Sequence, residues 1–493
     1  MVWMAAFAGS IPGTFRTGFS AWQEPLMLVA GVDSSTQSTK VLLCRAEDGA
    51  VVGQASAPHP DGTEADPERW WQALTAAGDG LLGRAGAVGV AAQQHGMIVL
   101  DEAGQVIRPA LLWNDMRSAP QAAALIAEMG GPEQWARRTG LVPRASFTVT
   151  KLRWLAEQEP DAAARTAQVL LPHDWLTWRL AGGLAEAATD RGDASGTGYF
   201  SPAEGTWLPD TAEAALGKPV RLPRVAAPAE IVARTPAGAA LSAGTGDNMG
   251  AALGLGLNAG EVVVSIGTSG TAYAVAATPA ADPSGAVAGF ADATGRFLPL
   301  VATVNAARVL VVTARMLGTD IEGLSRLALE APPGAGGLVL LPYLDGERTP
   351  DRPDASGVLR GLTGSNTTAQ NLARAAVEAV LCSLADAVDH LAGSGIVPER
   401  VILIGGAARS EAVRRIAPMI FGVPTAVPQP AEYVALGAAR QAAWAACRPS
   451  GQPPGWRRPA DAEYRAEPCP QVRARYAALR DDTADWHETL GRT

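Results

Sequence analysis

Short apolar runs, each closed by small polar residues, recur along the chain and give its first-order plan. Residues 27–32, 41–45 and 50–54 read as three strands separated by turn residues. Residues 66–83 follow as a helix. Asp66-Pro67 opens it, and Trp70, Trp71, Leu74 and Leu81 fall at helical spacings. Another strand is predicted at 87–92, ending on Gln93-Gln94-His95-Gly96. Strand character returns at 97–100 and 106–112, the latter ending on Trp113-Asn114-Asp115. Helices are predicted at 117–128, 132–138, 150–158 and 174–180.

The second half repeats this plan without repeating its residues. A strand at 261–266 enters a polar turn and continues as a strand at 271–276, with a third at 297–301. Helices are expected at 303–317, 321–330, 368–393, 411–420 and 431–446, and strands at 337–341 and 400–404. The repeat predicts an α/β protein of two lobes, each a mixed sheet flanked by helices. The boundary is expected near the glycine-rich stretch at 254–261, giving lobes at 27–256 and 257–447. Five prolines at 448–468 predict a surface wrap, and 470–480 a docking helix, within a final segment 448–493.

Composition narrows the function classes. A chain of 493 residues exceeds one typical core, in keeping with two lobes. A net charge of -9 without a basic tract argues against general nucleic-acid binding. Cys44, Cys382, Cys447 and Cys469 show neither close pairing nor metal-ligand spacing, which predicts reduced thiols and a cytoplasmic protein. Residues 1–26 lack a basic start and are broken by Gly, Ser and Pro, so they read as a disordered extension. The apolar stretch 301–317 carries Asn305, Arg308 and Arg315 and is no membrane span.

Two strand-to-turn junctions carry the chemistry. In the first, Asp33 ends an apolar strand and is followed by Ser34, Ser35, Thr36 and, further on, Lys40. In the second, Ser265 to Thr271 places Gly267, Thr268 and Gly270 in a turn rich in hydroxyls. Backbone N–H groups and hydroxyls in such turns suit phosphate oxygens. Lys40 reads equally as a solvent-facing lysine at the start of the second strand. The first junction is not a GxxxxGK[ST] loop. Asp247, in the turn GTGDN at 244–248, is the candidate general base, with Asn248 beside it. Asp33 and Asp247 are also the candidate magnesium contacts. Gly405, Gly406 and Ala407 follow a strand and offer bare backbone to an adenine or ribose. Gln94, His95, Trp113, Asn114 and Asp115 supply donors, acceptors and an aromatic wall for a polyol.

At these residues the chain resembles the FGGY family of carbohydrate kinases over about 28–485. Eleven stretches carry the resemblance in order. Among them are VDSSTQSTK at 32–40, QQHG at 93–96, LLWNDMR at 111–117, LLPHDWLTWRL at 170–180, TDRGDASGT at 189–197, GTGDNMGAALG at 244–254, SIGTSGT at 265–271 and LPYLDGERTP at 341–350. The resemblance implies two actin/hexokinase-like (ribonuclease H-like) lobes closing on ATP and a sugar. It implies transfer of a phosphoryl group from ATP, with Mg2+, to the 5-hydroxyl of D-xylulose. It makes Asp247 the base and Asp33 the magnesium-associated carboxylate. It also places sugar at Gln94, His95, Trp113, Asn114 and Asp115, and suggests a homodimer. Glycerol kinases carry Arg-Glu where Gln94-His95 stand here, so glycerol is disfavoured. Ser35 in place of the usual glycine, Val311 in place of an acidic residue, and Ala407-Ala408 leave another sugar open: ribulose, gluconate or a rare ketose. A dinucleotide oxidoreductase would want GxGxxG after the first strand, where DSSTQS stands. A sugar-sensing module would leave Asp247 idle.

Overall fold

The computed structural model describes residues 27–183, 185–458 and 461–486, so the extension expected at 1–26 lies outside the described residues. The first sheet contains β1 (Leu28–Ser34), β2 (Ser38–Arg45), β3 (Val51–Pro58), β4 (Ala87–Ala92), β5 (Ile231–Arg234), β6 (Ala240–Ser242) and β7 (Thr245–Gly246). Its order is β5-β6-β4-β1-β2-β3, with β7 continuing alongside β4. The second contains β8 (Glu261–Ile266), β9 (Gly270–Ala274), β10 (Ala288–Ala291), β11 (Phe297–Thr303), β12 (Arg400–Ile404), β13 (Thr425–Val427) and β14 (Ala462–Tyr464). Its order is β10-β11-β9-β8-β12-β13-β14. In each sheet the opening strand pairs antiparallel with the next and parallel with a later one: β1 with β2 and β4, β8 with β9 and β12. The expected repeat of architecture is therefore present.

Strand β1 is buried on both faces, which is why it reads as a continuous apolar run rather than an alternating one. One face of the first sheet packs Val32, Leu43 and Val90 against Trp70 and Leu74 of α1 (Pro67–Gly78) and against Trp175 and Leu176 of α2 (Pro172–Leu180). Helix α1 starts where Asp66 accepts from Glu68 N at 3.0 Å, a side-chain cap on an otherwise orphan donor. It stops short of the expected residue 83, at Gly78, and Gly80 then takes a φ of 68°. The 106–112 run forms a strand only at Ala110–Leu111. Pro109 has no N–H to extend the ladder.

Two helices couple the lobes. Helix α3 (Asp247–Leu255) turns Met249, Ala252 and Leu253 onto Val263, Tyr273 and Ile402 of the second sheet. Helix α4 (Tyr433–Cys447) crosses back and lays Ala435, Ala439 and Ala443 on Val29 and Leu42 of the first sheet. Glycines permit this approach. A Cβ on Gly31 would sit 1.9 Å from Ala435 O, and one on Gly437 1.8 Å from Gly250 O. The wrap 448–458 touches both units: Trp456 Nε1 donates to Ala46 O at 3.1 Å and Arg458 Nη2 to Glu261 Oε1 at 3.1 Å. It then supplies β14, an edge strand too short to show a periodic signal in the sequence. No helix among the described residues is long and apolar enough to cross a membrane.

Candidate active site

Three parallel strands, β1, β4 and β7, end side by side: Asp33 pairs with Ala91, and Thr245 pairs with the same residue from the other side. Their C-terminal ends therefore present Asp33, the Gln93-Gln94-His95 turn and Asp247 to one crevice, the usual place for a ligand in such a sheet. A cavity of about 570 Å³ opens there between the two sheets. Gln94, His95, Trp113, Asp247 and Asn248 line it from the first half, and Gly267, Thr268, Ser269 and Arg348 from the second.

Asp247 is the first residue of α3, with Gly246 rather than Asp247 in the capping position. Asn248 donates to its Oδ1 twice, from N at 2.8 Å and Nδ2 at 2.9 Å, which leaves Oδ2 for a ligand. Asn248 Nδ2 also reaches Gln94 Oε1 at 3.0 Å. Burial, and then the charge of Asp33, push the Asp247 carboxyl up to about 7. Asp33 lies just behind the lining and is raised to about 7 by burial, against the pull of Lys40. Its Oδ1 is buried and has no hydrogen-bond partner.

His95 holds a φ of 68°, an uncommon conformation for a residue with a Cβ and one that clusters at functional sites. Its carbonyl is pinned by Thr148 Oγ1 and by the ammonium of fully buried Lys151, each at 3.3 Å. The same ammonium bonds Ser146 O. Nδ1 lies 2.8 Å from Gly196 O, an acceptor only, so Nδ1 carries the proton and Nε2 the lone pair. Burial, then the charges of Lys151 and Arg348, press the imidazole down to about 3, so it stays neutral.

The other expected residues divide. Trp113 lines the cavity, and its Nε1 donates to Thr36 Oγ1 at 2.9 Å. Asn114 and Asp115 do not line it. Asn114 Nδ2 turns to Gly62 O at 3.2 Å, and Asp115 Oδ1 accepts from Arg117 N and Nε at 3.0 and 2.9 Å. Ser34 is buried, with its Oγ accepting from Thr39, and Ser35 closes its own turn onto Ser38 O. Lys40 is neither fully solvent-facing nor free for a phosphate, because its ammonium sits 2.6 Å from Glu432 and 3.9 Å from Asp33. Gly267 and Thr268 face the cavity, whereas Gly270 serves packing: a Cβ there would meet Leu384 and Thr303 at 2.6 Å. Gly405 and Gly406 are exposed, and Ala407 is buried beneath them. A φ of 89° and the nearby Ile266 backbone require glycine at 405. Sequence reasoning missed Arg348, Ser146, Lys151 and Phe290. Arg348 lies in LPYLDGERTP and Lys151 in another matching stretch, FTVTKLRWL at 147–155, but that they meet around His95 was not visible.

A buried ionic cluster stands behind the Asp247 turn. His173 Nδ1 lies 2.6 Å from Asp193 Oδ2, and Nε2 lies 3.1 Å from Asp174 Oδ1 and 3.9 Å from Asp190 Oδ1. Asp190 accepts from Thr245 Oγ1 at 2.9 Å, two residues before Asp247. Burial opposes the imidazolium, yet Asp174, Asp193 and Asp190 together lift His173 to about 9. Burial also raises all three carboxyls, Asp174 to about 7 and Asp193 to about 6. Every shift is upward, so the folded cluster holds more protons than the unfolded chain from the ordinary Asp value of 3.8 up to about pH 9. Its contribution to stability then falls as pH rises through that window. Urea midpoints measured from pH 5 to 9 should decline, and His173→Asn should remove the part of the slope that lies above about pH 6.5.

Comparison with known proteins gives this geometry a family. The model for the N-terminal domain of the FGGY family of carbohydrate kinases matches residues 28–258, and that for its C-terminal domain matches residues 262–446. A xylulose kinase of Streptomyces coelicolor is 47% identical over 433 residues, covering 84% of this chain and 87% of that protein. The xylulose kinase of Escherichia coli is 36% identical over 446 residues, 84% of this chain and 90% of its own. The crystal structure of xylulose kinase from Bifidobacterium adolescentis superposes with a TM-score of 0.86 at 42% identity, over 92% of this chain and 99% of that one. The chain belongs to the FGGY family of carbohydrate kinases.

Proposed function

We propose that this kinase transfers the γ-phosphoryl group of ATP to the 5-hydroxyl of D-xylulose, giving D-xylulose 5-phosphate. One observation carries the reading: an under-bonded carboxylate of raised pKa, Asp247, shares a cavity with a hydroxyl-rich turn and with the polar Gln94-His95 pair. The relatives at 47% and 36% identity, both xylulose kinases, support the choice of sugar.

In this reading Asp247 Oδ2 accepts the proton of the attacking hydroxyl, while Asn248 holds Oδ1 and so fixes the carboxylate plane. Gln94, His95 and Trp113 hold the sugar. The turn at 267–269 and the hydroxyl of Thr36, whose proton is left free by the Trp113 contact, meet the phosphates, and the exposed backbone of Gly405-Gly406 takes the nucleoside. The unit at 27–256 thus supplies base and sugar contacts, and 257–447 most of the nucleotide contacts. Lobe closure excludes the water that would otherwise take the phosphoryl group. The residues also fit magnesium. Asp33 Oδ1 is an orphaned buried acceptor, and among the described residues no group of three or more His, Cys, Asp or Glu side chains is arranged to hold a metal ion by itself. That suits an ion held by one or two carboxylates, Asp33 and Asp247, with the remaining positions filled by phosphates and water. When bound it would neutralise phosphate charge. The four cysteines are all free thiols, in keeping with a cytoplasmic enzyme.

ATP consumption should be coupled to sugar phosphorylation with D-xylulose, D-ribulose, L-ribulose, glycerol and gluconate in parallel. D-xylulose should give the highest kcat/KM. A higher value for another sugar would move the specificity and leave the mechanism in place. The pH profile is a further test. A base must be ionised, so kcat/KM should rise about tenfold per pH unit on the acid side and bend near pH 7. Asp247→Asn should lose the share of the limb that belongs to the base, leaving only what Asp33, also raised to about 7, contributes.

A further inference from the structure

One end of the cavity has no part in phosphoryl transfer. Glu347 is buried, and its carboxylate accepts from Val304 N at 2.6 Å, Asn305 N at 3.3 Å, Asn305 Nδ2 at 3.1 Å and Arg348 N at 2.7 Å. This knot fixes the turn around 345–349 and leaves the Arg348 side chain as its free arm. The guanidinium crosses to the first half of the chain, where Nη2 donates to Ser146 Oγ at 3.4 Å. That is its one described side-chain hydrogen bond, for a group with five donors. Among the described residues no carboxylate lies within 4.0 Å of it.

Arg348 meets the cavity beside His95. Ser146 O and His95 O share the Lys151 ammonium. Phe147, next to Ser146, stands edge-on to the imidazole with ring centroids 5.1 Å apart. This end of the cavity therefore offers a fan of donors from Arg348 and a fixed lone pair on His95 Nε2. Ser146 Oγ already accepts from Arg348, which orients the guanidinium toward this end. An adjacent carbonyl and hydroxyl match this set: the carbonyl takes two donors and brings none, and the hydroxyl gives its proton to Nε2. A polyol of the same skeleton puts a second O–H where the carbonyl stood, and that proton faces a guanidinium that only donates. Burying an unpaired donor is costly.

We propose that Arg348 is a specificity residue that reads the ketone oxygen of the sugar, with His95 Nε2 accepting from the neighbouring hydroxyl. This inference rests on the kinase reading above and names the feature of the substrate that the site selects.

The test is steady-state kinetics of the full chain with D-xylulose and xylitol at saturating ATP, for wild type, Arg348→Met and Arg348→Lys. Wild type should favour the ketose by about 10- to 100-fold in kcat/KM. Arg348→Met should raise KM for D-xylulose about tenfold or more, change kcat and the KM for ATP by less than threefold, and bring the ketose-to-polyol ratio toward one (about one hydrogen bond to a charged group). Arg348→Lys should restore part of the ratio. An unchanged ratio in an active Arg348→Met enzyme overturns the proposal, as does a loss confined to kcat or to the KM for ATP. If Arg348→Met turns over too slowly to measure, calorimetric binding of the two sugars to Asp247→Asn, with and without Arg348→Met, reads the same ratio. Wild type that phosphorylates no ketose overturns the kinase reading and this proposal with it, whereas an unchanged ratio overturns this proposal alone.

Discussion

Asp247→Asn is expected to lower kcat by about 100- to 10,000-fold, or about 3–5 kcal/mol of transition-state stabilisation. The amide keeps the size of the carboxylate and can still bond Asn248, so the start of α3 should hold its geometry. What disappears is the carboxylate that lines the cavity. Asp33 is no substitute, because it lies buried behind the cavity lining with its charge directed at Lys40 and Asp247. The KM for sugar should therefore change little while kcat collapses, the signature of an interaction made mainly in the transition state. Rapid-quench measurement of phosphoryl transfer, beside steady-state kinetics, checks it. A loss of less than tenfold would remove Asp247 from the role of base.

His173→Gln is expected to have the largest effect on stability, about 3–5 kcal/mol lost. The imidazole is fully buried among three carboxylates that are themselves almost wholly buried. Removing its charge leaves Asp174, Asp190 and Asp193 to repel one another or to take up protons. Asp190 also caps the short helix at 191–194, accepting from Gly192 N and Asp193 N at 2.9 Å, and it holds Thr245. Loosening it loosens the strand that delivers Asp247. Activity should consequently fall at temperatures where the variant is still folded. Chemical denaturation with parallel activity measurements separates the two effects. Stability within 1 kcal/mol of wild type would show that the cluster contributes little net energy (about the value of an exposed ion pair).

Much of this was legible in the sequence because the signal was local. Strand β8, its polar turn and β9 lie within Glu261–Ala274, and the turn's anion-binding character is written in consecutive residues. Asp33 closes an apolar run and His95 stands three residues after another, whereas Asp247 was legible from its glycine-rich turn alone, and parallel pairing of β1, β4 and β7 brings them together. Readings failed where tertiary partners decide. Nothing in LLWNDMR reveals that Asn114 and Asp115 will bond Gly62 and Arg117 instead of facing the cavity. Lys40 beside Asp33 suggests a phosphate contact until Glu432, near the start of α4, arrives to take it. Ser146 and Lys151 are near neighbours in sequence, but Arg348 lies 202 residues beyond Ser146 and His95 lies 56 residues before Lys151, and only folding brings the four together. The stretches LPYLDGERTP and LLPHDWLTWRL were visible as strings, but not that one holds a cavity arginine and the other the centre of a buried ionic cluster.

The central claim is phosphoryl transfer from ATP to the 5-hydroxyl of a ketopentose, with Asp247 as base. The most direct measurement is an NMR time course of the enzyme with ATP and 13C-labelled D-xylulose, run beside Asp247→Asn. The account predicts loss of the γ-phosphate signal matched by a new phosphomonoester whose phosphorus couples to C5 and C4, and almost no conversion in the variant. Phosphorus coupled to C1 and C2, inorganic phosphate in place of an ester, or equal conversion by Asp247→Asn would contradict it.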